Sequence, residues 1–369
     1  MEKTIMHTKE QHSKQTKPIE NDCFLRALNR QPVDRTPIWV MRQAGRYLPE
    51  YLKVRAQAGS FMNLCRTPEL AAEVTLQPVN RFALDASIVF SDILVVADVM
   101  GCDLHFVEGE GPQMRKPIRS AADLKACVQP DVQETLSYVM DTIRLVKQGL
   151  NQRVPLIGFS GSPWTVACYA VEGSGSREFS VIKSMLYRDP ALLHSILAAI
   201  QKVTAEYLLA QVEAGVDVLM IFDTWGSLLS PTLYQHFDLH YVRPIIAAIK
   251  AKAPHIPVIF FTKGGGLWLE TQADLGCAAL GLDWTVSLKD ARARVGNRVA
   301  LQGNLDPSAL LGSPESIEQA VQAVLADFGP GNGHIFNLGH GIQKETPPEH
   351  LQHCIEAVHR YSPAYHQGV

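Results

Sequence analysis

Seven cysteines in 369 residues, with no Cys-x-x-Cys pair among them, cannot supply a disulfide framework or a zinc ribbon. They are scattered from Cys23 to Cys354 and odd in number, which fits a reducing compartment, so a cytoplasmic protein is expected. No apolar run approaches the roughly 18 residues of a membrane span. Net charge is −3, so no overall basic field draws the chain to nucleic acid or to an anionic membrane, and any anion site must be local. Several catalytic signatures are absent as well. No Gly-x-Gly-x-x-Gly follows the first strand, and there is no Gly-Lys-Ser/Thr phosphate loop and no Gly-x-Ser-x-Gly elbow. His236 and His240 have helical spacing but lack the glutamate of a zinc protease, and no His-x-Cys occurs, so no catalytic metal is expected. Residues 1–21 are polar, carry both charge signs and lack the apolar stretch of a secretion signal. They read as a disordered extension, leaving 22–369 as a single catalytic domain.

What is present is a core-rich globule, 46% hydrophobic and 19% charged. Eight apolar runs of strand length recur: Ile38–Met41, Ala86–Phe90, Val154–Phe159, Val216–Phe222, Val258–Thr262, Leu280–Trp284, Val299–Gln302 and Ile335–Leu338. Most are continuous β-branched or aromatic runs, as parallel strands buried on both faces require. Between them, Thr67-Pro68, Asp189-Pro190, Ser230-Pro231, Ser313-Pro314 and Thr346-Pro347 each place a capping residue before a proline suited to a first helical turn. Leu193, Ile196, Leu197, Ile200 and Val203 would share one helix face. Eight strand–helix alternations predict an α/β protein, a single (β/α)8 TIM barrel with its active site at the C-terminal ends of the strands. A doubly wound open sheet is the alternative. The surplus at Ser91–Arg153 could form a lid or rim.

Chemistry concentrates just past those strand ends. In Pro37–Tyr51 an apolar run hands over to Arg42 and Arg46, four positions apart with Gly45 between. Each guanidinium can hold a carboxylate or phosphate in a two-pronged fork; otherwise the two are surface arginines. Asp92 lies among Phe90, Ile93, Leu94, Val95 and Val96, where a carboxylate needs a partner or drifts toward neutrality, unless it serves as a helix N-cap. Tyr169 follows the third strand, and could equally be a core residue. Asp223 and Thr224 close the fourth, Lys263 and Gly264–Gly266 follow the fifth, and His340 sits between Gly339 and Gly341 after the eighth.

These segments resemble the uroporphyrinogen decarboxylase family from about Asp22 to Tyr361. The resemblance rests on MRQAGRYLPEY (Met41–Tyr51), FSDILVV, YAVEG, FDTWG, QGNLDP and NLGHGI in that order. It implies a (β/α)8 barrel acting as a homodimer without metal or organic cofactor. It implies sequential loss of CO2 from the four acetate arms of uroporphyrinogen III, giving coproporphyrinogen III. The substrate's own protonated pyrrole would act as the electron sink. By motif match, Asp92 would stabilise the developing cation, Arg42 and Arg46 would bind carboxylates, and Arg42 is a candidate proton donor. Tyr169, Thr224 and His340 would complete the pocket, with threonine at a position where some relatives carry serine.

Three rivals differ in what they need. A zinc methyltransferase of the same superfamily needs ligands that Phe260–Lys263 lacks. A non-catalytic tetrapyrrole carrier needs the arginines but not Asp92. A Schiff-base aldolase could use Lys263.

Overall fold

The computed structural model describes residues 18–107 and 111–368, so most of the expected N-terminal extension lies outside the described residues. Its last two residues belong to the fold: the backbone N–H groups of Glu20 and Asn21 donate to the carbonyls of Gln152 and Arg153 at 2.8 and 3.1 Å.

Nine strands are present among the described residues: β1 Ser87–Ile88, β2 Leu104–Val107, β3 Gly111–Met114, β4 Leu156–Gly161, β5 Val218–Asp223, β6 Val258–Thr262, β7 Ala279–Gly281, β8 Ala300–Gln302 and β9 His334–Ile335. Seven of them form one all-parallel sheet in the order β1-β4-β5-β6-β7-β8-β9, and β2 and β3 form a separate antiparallel hairpin. Every residue of β4 and of β6 is buried, as the continuous apolar runs require. Because all seven strands run the same way, the residues that follow β1, β4, β5, β6, β7 and β8 emerge at one end of the sheet.

The expected first strand, Ile38–Met41, is not a strand in the structure. Ile38 makes a single parallel bridge to Phe336, and its carbonyl accepts from the Asp85 N–H at 2.8 Å. The physical reason is visible in its other donors. The Ile38 N–H goes to the Asp85 carboxylate at 2.7 Å and the Met41 N–H to the Asn337 side-chain oxygen at 3.1 Å. Two of the segment's N–H groups are thus taken by side chains, which interrupts the ladder that Phe336 N–H to Pro37 C=O and Trp39 N–H to Phe336 C=O begin. Ile38, Trp39, Val40 and Met41 are nonetheless buried, and Trp39 Nε1 donates to Gln302 at 2.9 Å.

Helices cover the sheet between strands. The 25-residue helix Pro190–Ala214 buries Leu193, Ile196, Leu197, Ile200 and Val203 together, and Asp189 caps it by accepting from the Leu192 N–H at 3.0 Å. Its Gln211 bonds both the N–H and the C=O of Phe159, which fastens the helix to β4. A Cβ on Gly158 would stand 2.4 Å from that amide oxygen, so the strand has glycine there. Ser313 caps Pro314–Phe328 in the expected way. Thr67 and Ser230 precede helices without making a cap bond, and the helix expected after Thr346 starts one residue later, at Pro348.

The insertion between β1 and β4 does more than cover the sheet. Its backbone joins the helix Pro163–Glu172 at that helix's C-terminal end: Met114 N–H to Gly173 C=O, and Ile118 N–H to Ala170 C=O. Arg119 adds side-chain bonds to the carbonyls of Val171 and Glu172.

Candidate active site

Asp92 lies four residues past β1, where the chain turns before the helical segment at Val95. Its Oδ1 accepts from the Leu94 N–H at 2.8 Å, bracing the turn locally as an Asx residue does. Among the described residues no ion pair neutralises it. The side chain is half-buried, and burial raises its carboxyl above the ordinary range, opposed by the Leu94 N–H and by the charge of Arg42. The carboxylate therefore combines the local structural role and an under-compensated charge.

Arg42 supplies the nearest cationic field. It sits in a turn closed by Gln43 N–H to Val40 C=O at 3.2 Å, with a left-handed φ of +62°. Its charge acts on Asp92, Tyr169 and His340 alike. One cation thus joins residues from the ends of β1, β4 and β9. Tyr169 is carried on the helix Pro163–Glu172, with ring centroids 5.8 Å from Phe179 and 6.4 Å from Trp225. Burial raises its phenol, the Asp92 charge adds to the rise, and Arg42 opposes it, so the hydroxyl keeps its proton.

His340 is held by close approach. A Cβ on Gly339 would stand 2.7 Å from the Trp284 backbone nitrogen, and one on Gly341 would stand 2.3 Å from Arg42 Cδ. Neither glycine has positive φ, so room for neighbours, and not conformational freedom, is what these glycines provide. Burial lowers the imidazole to about 3, helped by Arg42 and Lys263 and opposed by Asp283. It is neutral near pH 7.

The other expected residues are placed less centrally. Arg46 is exposed, as Arg42 is, but its charge is felt at Tyr51. Among the described residues no hydrogen bond or ion pair joins it to Asp92, Tyr169 or His340. Thr224 follows β5 at the same end of the sheet and is half-buried. His236 and His240 are exposed, and no group of three His, Cys, Asp or Glu side chains among the described residues is arranged to hold a metal.

Sequence reasoning placed Asp223 at the strand end without finding its role. This wholly buried carboxylate accepts from Ser162 and Thr165 hydroxyls, both at 2.9 Å, and from Thr262 at 3.2 Å. It ties the ends of β4, β5 and β6 together and fixes the start of the Tyr169 helix, which Ser162 also caps. Asp238, also buried, is its carboxyl partner. Burial and the Asp223 charge push Asp238 well above the ordinary range, so it carries the proton. The available signal was an aspartate set between Phe237 and Leu239 on a helix-length segment.

Residues 19–361 match the family model described as uroporphyrinogen decarboxylase. Proteins named uroporphyrinogen decarboxylase from Methylococcus capsulatus and Alkalilimnicola ehrlichii are 57% and 56% identical to this chain. The first alignment covers 94% of this chain and 99% of the relative, the second 95% and 96%. One from Escherichia coli is 55% identical over 95% of this chain and 99% of its own. Among solved structures, a methyltransferase from Methanosarcina mazei superposes with a TM-score of 0.79 at 22% identity, covering 94% of this chain and 99% of its own. That likeness is one of fold.

Proposed function

The chain belongs to the uroporphyrinogen decarboxylase family, and from that membership we propose how its residues carry the reaction. The activity is decarboxylation of uroporphyrinogen in porphyrin synthesis. In the finer reading, the four acetate arms of uroporphyrinogen III become methyl groups, giving coproporphyrinogen III and four CO2. A carboxylate on CH2 leaves only if its electron pair has somewhere to go. Protonating a pyrrole ring carbon makes an iminium-like cation, and the electrons of the breaking C–C bond flow into it. A proton then adds to the exocyclic carbon, and loss of the ring proton restores the pyrrole. The sink belongs to the substrate, so no organic cofactor or metal is required.

The observation that carries this reading is Asp92: a carboxylate at the strand-end mouth, pushed toward neutrality by burial and left without an ion pair. Bringing a cationic, N–H-bearing ring against it recovers the attraction that its own fold withholds. Arg42 and Arg46 bind substrate carboxylates, and Arg42, whose charge is felt at both Asp92 and His340, acts in proton delivery. An ordinary arginine is a weak acid, and bound carboxylates hold its proton more tightly still, so proton delivery is the most demanding step asked of Arg42. Tyr169 donates its retained O–H, Thr224 offers a hydroxyl, and neutral His340 hydrogen bonds a carboxylate without adding charge.

Three further points complete the proposal. Pro37–Met41, bridging Phe336 on one side and Asp85 on the other, acts as the eighth stave of a (β/α)8 barrel. Residues 22–369 form one catalytic domain that works as a homodimer. The enzyme acts in the cytoplasm on a small tetrapyrrole, with neither nucleic acid nor membrane as partner. The test is incubation of purified protein with uroporphyrinogen under reducing conditions, with a metal chelator present. Stepwise appearance of products with seven, six, five and four carboxyl groups is expected. Binding without CO2 release would leave only a carrier.

A further inference from the structure

Lys263 directly follows β6 at the strand-end face of the sheet and, among the described residues, has no carboxylate of its own. Its backbone is fixed from two sides. The Lys263 N–H donates to the Asp223 carbonyl at 3.2 Å, and the N–H of the next residue, Gly264, donates to the Asp283 carboxylate past β7. Gly264 has φ +70°, and a Cβ there would stand 2.7 Å from Ser227 Cβ, so the turn that aims Lys263 tolerates little change. The side chain is half-buried, with Nζ 5.9 Å from the centroid of the Trp284 ring. Among the described residues no acid pairs with it. Lys147 shows how this chain treats another partly buried lysine: its Nζ lies 2.7 Å from Asp217. Lys263 has a cation–π contact instead, which leaves its three donors open.

Contacts connect Lys263 to Arg42 through the His340 turn. Trp284, under the Lys263 ammonium, presses on Gly339, whose Cβ position is 2.9 Å from the ring atom Cε3. Arg42 presses on Gly341 from the other side. The neutral imidazole of His340 thus has a cation on each flank, both tending to keep it unprotonated. Two like charges converging on one turn repel unless anions fill the space between and around them. The substrate brings eight carboxylates, and the guanidinium of Arg42 can fork only one at a time.

We propose that Lys263 is a second carboxylate anchor of this site, holding an acidic arm of the tetrapyrrole other than the one held by Arg42. The inference rests on the functional reading above. A lysine suits this position because a point charge with rotatable donors can follow arms that change as acetates become methyl groups.

Three variants test it: Lys263→Met, which keeps the stem over Trp284, Lys263→Ala, and Lys263→Arg. Two readouts are used, steady-state turnover of uroporphyrinogen and binding of the oxidised eight-carboxyl porphyrin by fluorescence. The Met and Ala variants should raise KM and the porphyrin Kd by about tenfold, the worth of one charge-assisted hydrogen bond, with kcat within about twofold. Their binding should also depend less steeply on salt. Arg should restore most of the affinity. Unchanged KM and Kd in Lys263→Met would overturn the proposal. So would a collapse of kcat that Arg does not rescue, because that would give the amine a chemical role. If the wild-type protein binds the porphyrin but releases no CO2, the functional reading fails while the binding arm still decides Lys263.

Discussion

The Arg42 side chain lies so close against Gly341 that a Cβ there would stand 2.3 Å from Cδ, 2.7 Å from Cγ and 2.8 Å from Nε. The same two segments are tied by Ile342 N–H to Met41 C=O at 3.0 Å. A loop from the start of the chain and one from its end are therefore fitted to each other across a missing methyl group. The path of the guanidinium into the site depends on that fit.

Gly341→Ala should displace Arg42 while disturbing little else, since the Cβ would meet a flexible side chain. A shift of about 1 Å at a positioned group can cost on the order of 100-fold in rate. We expect kcat/KM to fall by about 10- to 100-fold with the melting temperature nearly unchanged. Gly339→Ala, whose Cβ would meet Trp284 and Asp283 backbone atoms, should lower the melting temperature as well. Thermal unfolding measured beside steady-state kinetics separates the two effects.

Asp223 and Asp238 should respond unequally to the same change. Asp238→Asn replaces a protonated, neutral carboxyl with a neutral amide of the same shape, so fold and activity should largely persist. Asp223→Asn takes an ionised acceptor from Ser162, Thr165 and Thr262. We expect a loss of about 1–3 kcal/mol in stability, read by denaturant unfolding. Activity should fall with it, because the Tyr169 helix begins at that cluster.

Asp85 should matter for the fold and not for the chemistry. It is wholly buried, forks Arg35 at 2.6 and 2.7 Å, and accepts from Ile38 N–H and Asn21 Nδ2, both at 2.7 Å. Burial alone would raise its carboxyl, but His359 with its ring nitrogen 3.9 Å away, the Arg35 fork and the Ile38 N–H outweigh it and hold the group at about 2. A carboxyl lowered on folding stabilises above its unfolded pKa, and that stabilisation is lost as pH falls from 3.8 toward about 2. Asp85→Ala should cost about 3–5 kcal/mol, since it leaves a partly buried arginine unpaired. Calorimetry should also show the variant to have a flatter stability profile across that acid window.

The acid side of the activity profile should belong to Asp92. Its carboxyl is raised, so it gains a proton at a higher pH than an ordinary aspartate, and activity should fall there. His340 has the opposite shift. Below 6.5 the unfolded chain takes up a proton that folded His340 refuses until about 3, so this residue lowers stability as pH falls through that window. Near neutrality both states are uncharged and it contributes nothing. The His340 ring resonances should keep their neutral-form positions at pH 5, and His340→Asn should leave the acid limb of kcat/KM in place. A limb that moves with His340→Asn would transfer the titration to the imidazole.

Much of this was legible from residue order. Val258–Thr262 is a strand over the very residues expected, because a β-branched and aromatic run buried on both faces has one natural form. Ile38–Met41 carries the same signal yet is no strand. Two of its donors go to the side chains of Asp85 and Asn337, acceptors 47 and 296 positions away that no local pattern reveals. Asp92 and Arg42 were recognisable as a charge in an apolar surround and a fork after an apolar run. Both arginines are exposed, and that Arg42 alone packs against Gly341 and is felt at Asp92, Tyr169 and His340 depends on a left-handed turn at Arg42 and on the gap at Gly341, which are matters of packing. Asp238 escaped notice because its partner lies on another element, and burial of an acid cannot be read from its neighbours alone.

Single-turnover CO2 release by Asp92→Asn and Asp92→Glu, with substrate binding measured in parallel, addresses the central claim most directly. If the ionised carboxylate stabilises a cationic ring, the asparagine enzyme should bind uroporphyrinogen yet lose about 100-fold or more in the decarboxylation step, the scale of a removed preorganised electrostatic partner. The glutamate enzyme should retain measurably more. Decarboxylation by Asp92→Asn at close to the wild-type rate would contradict the account.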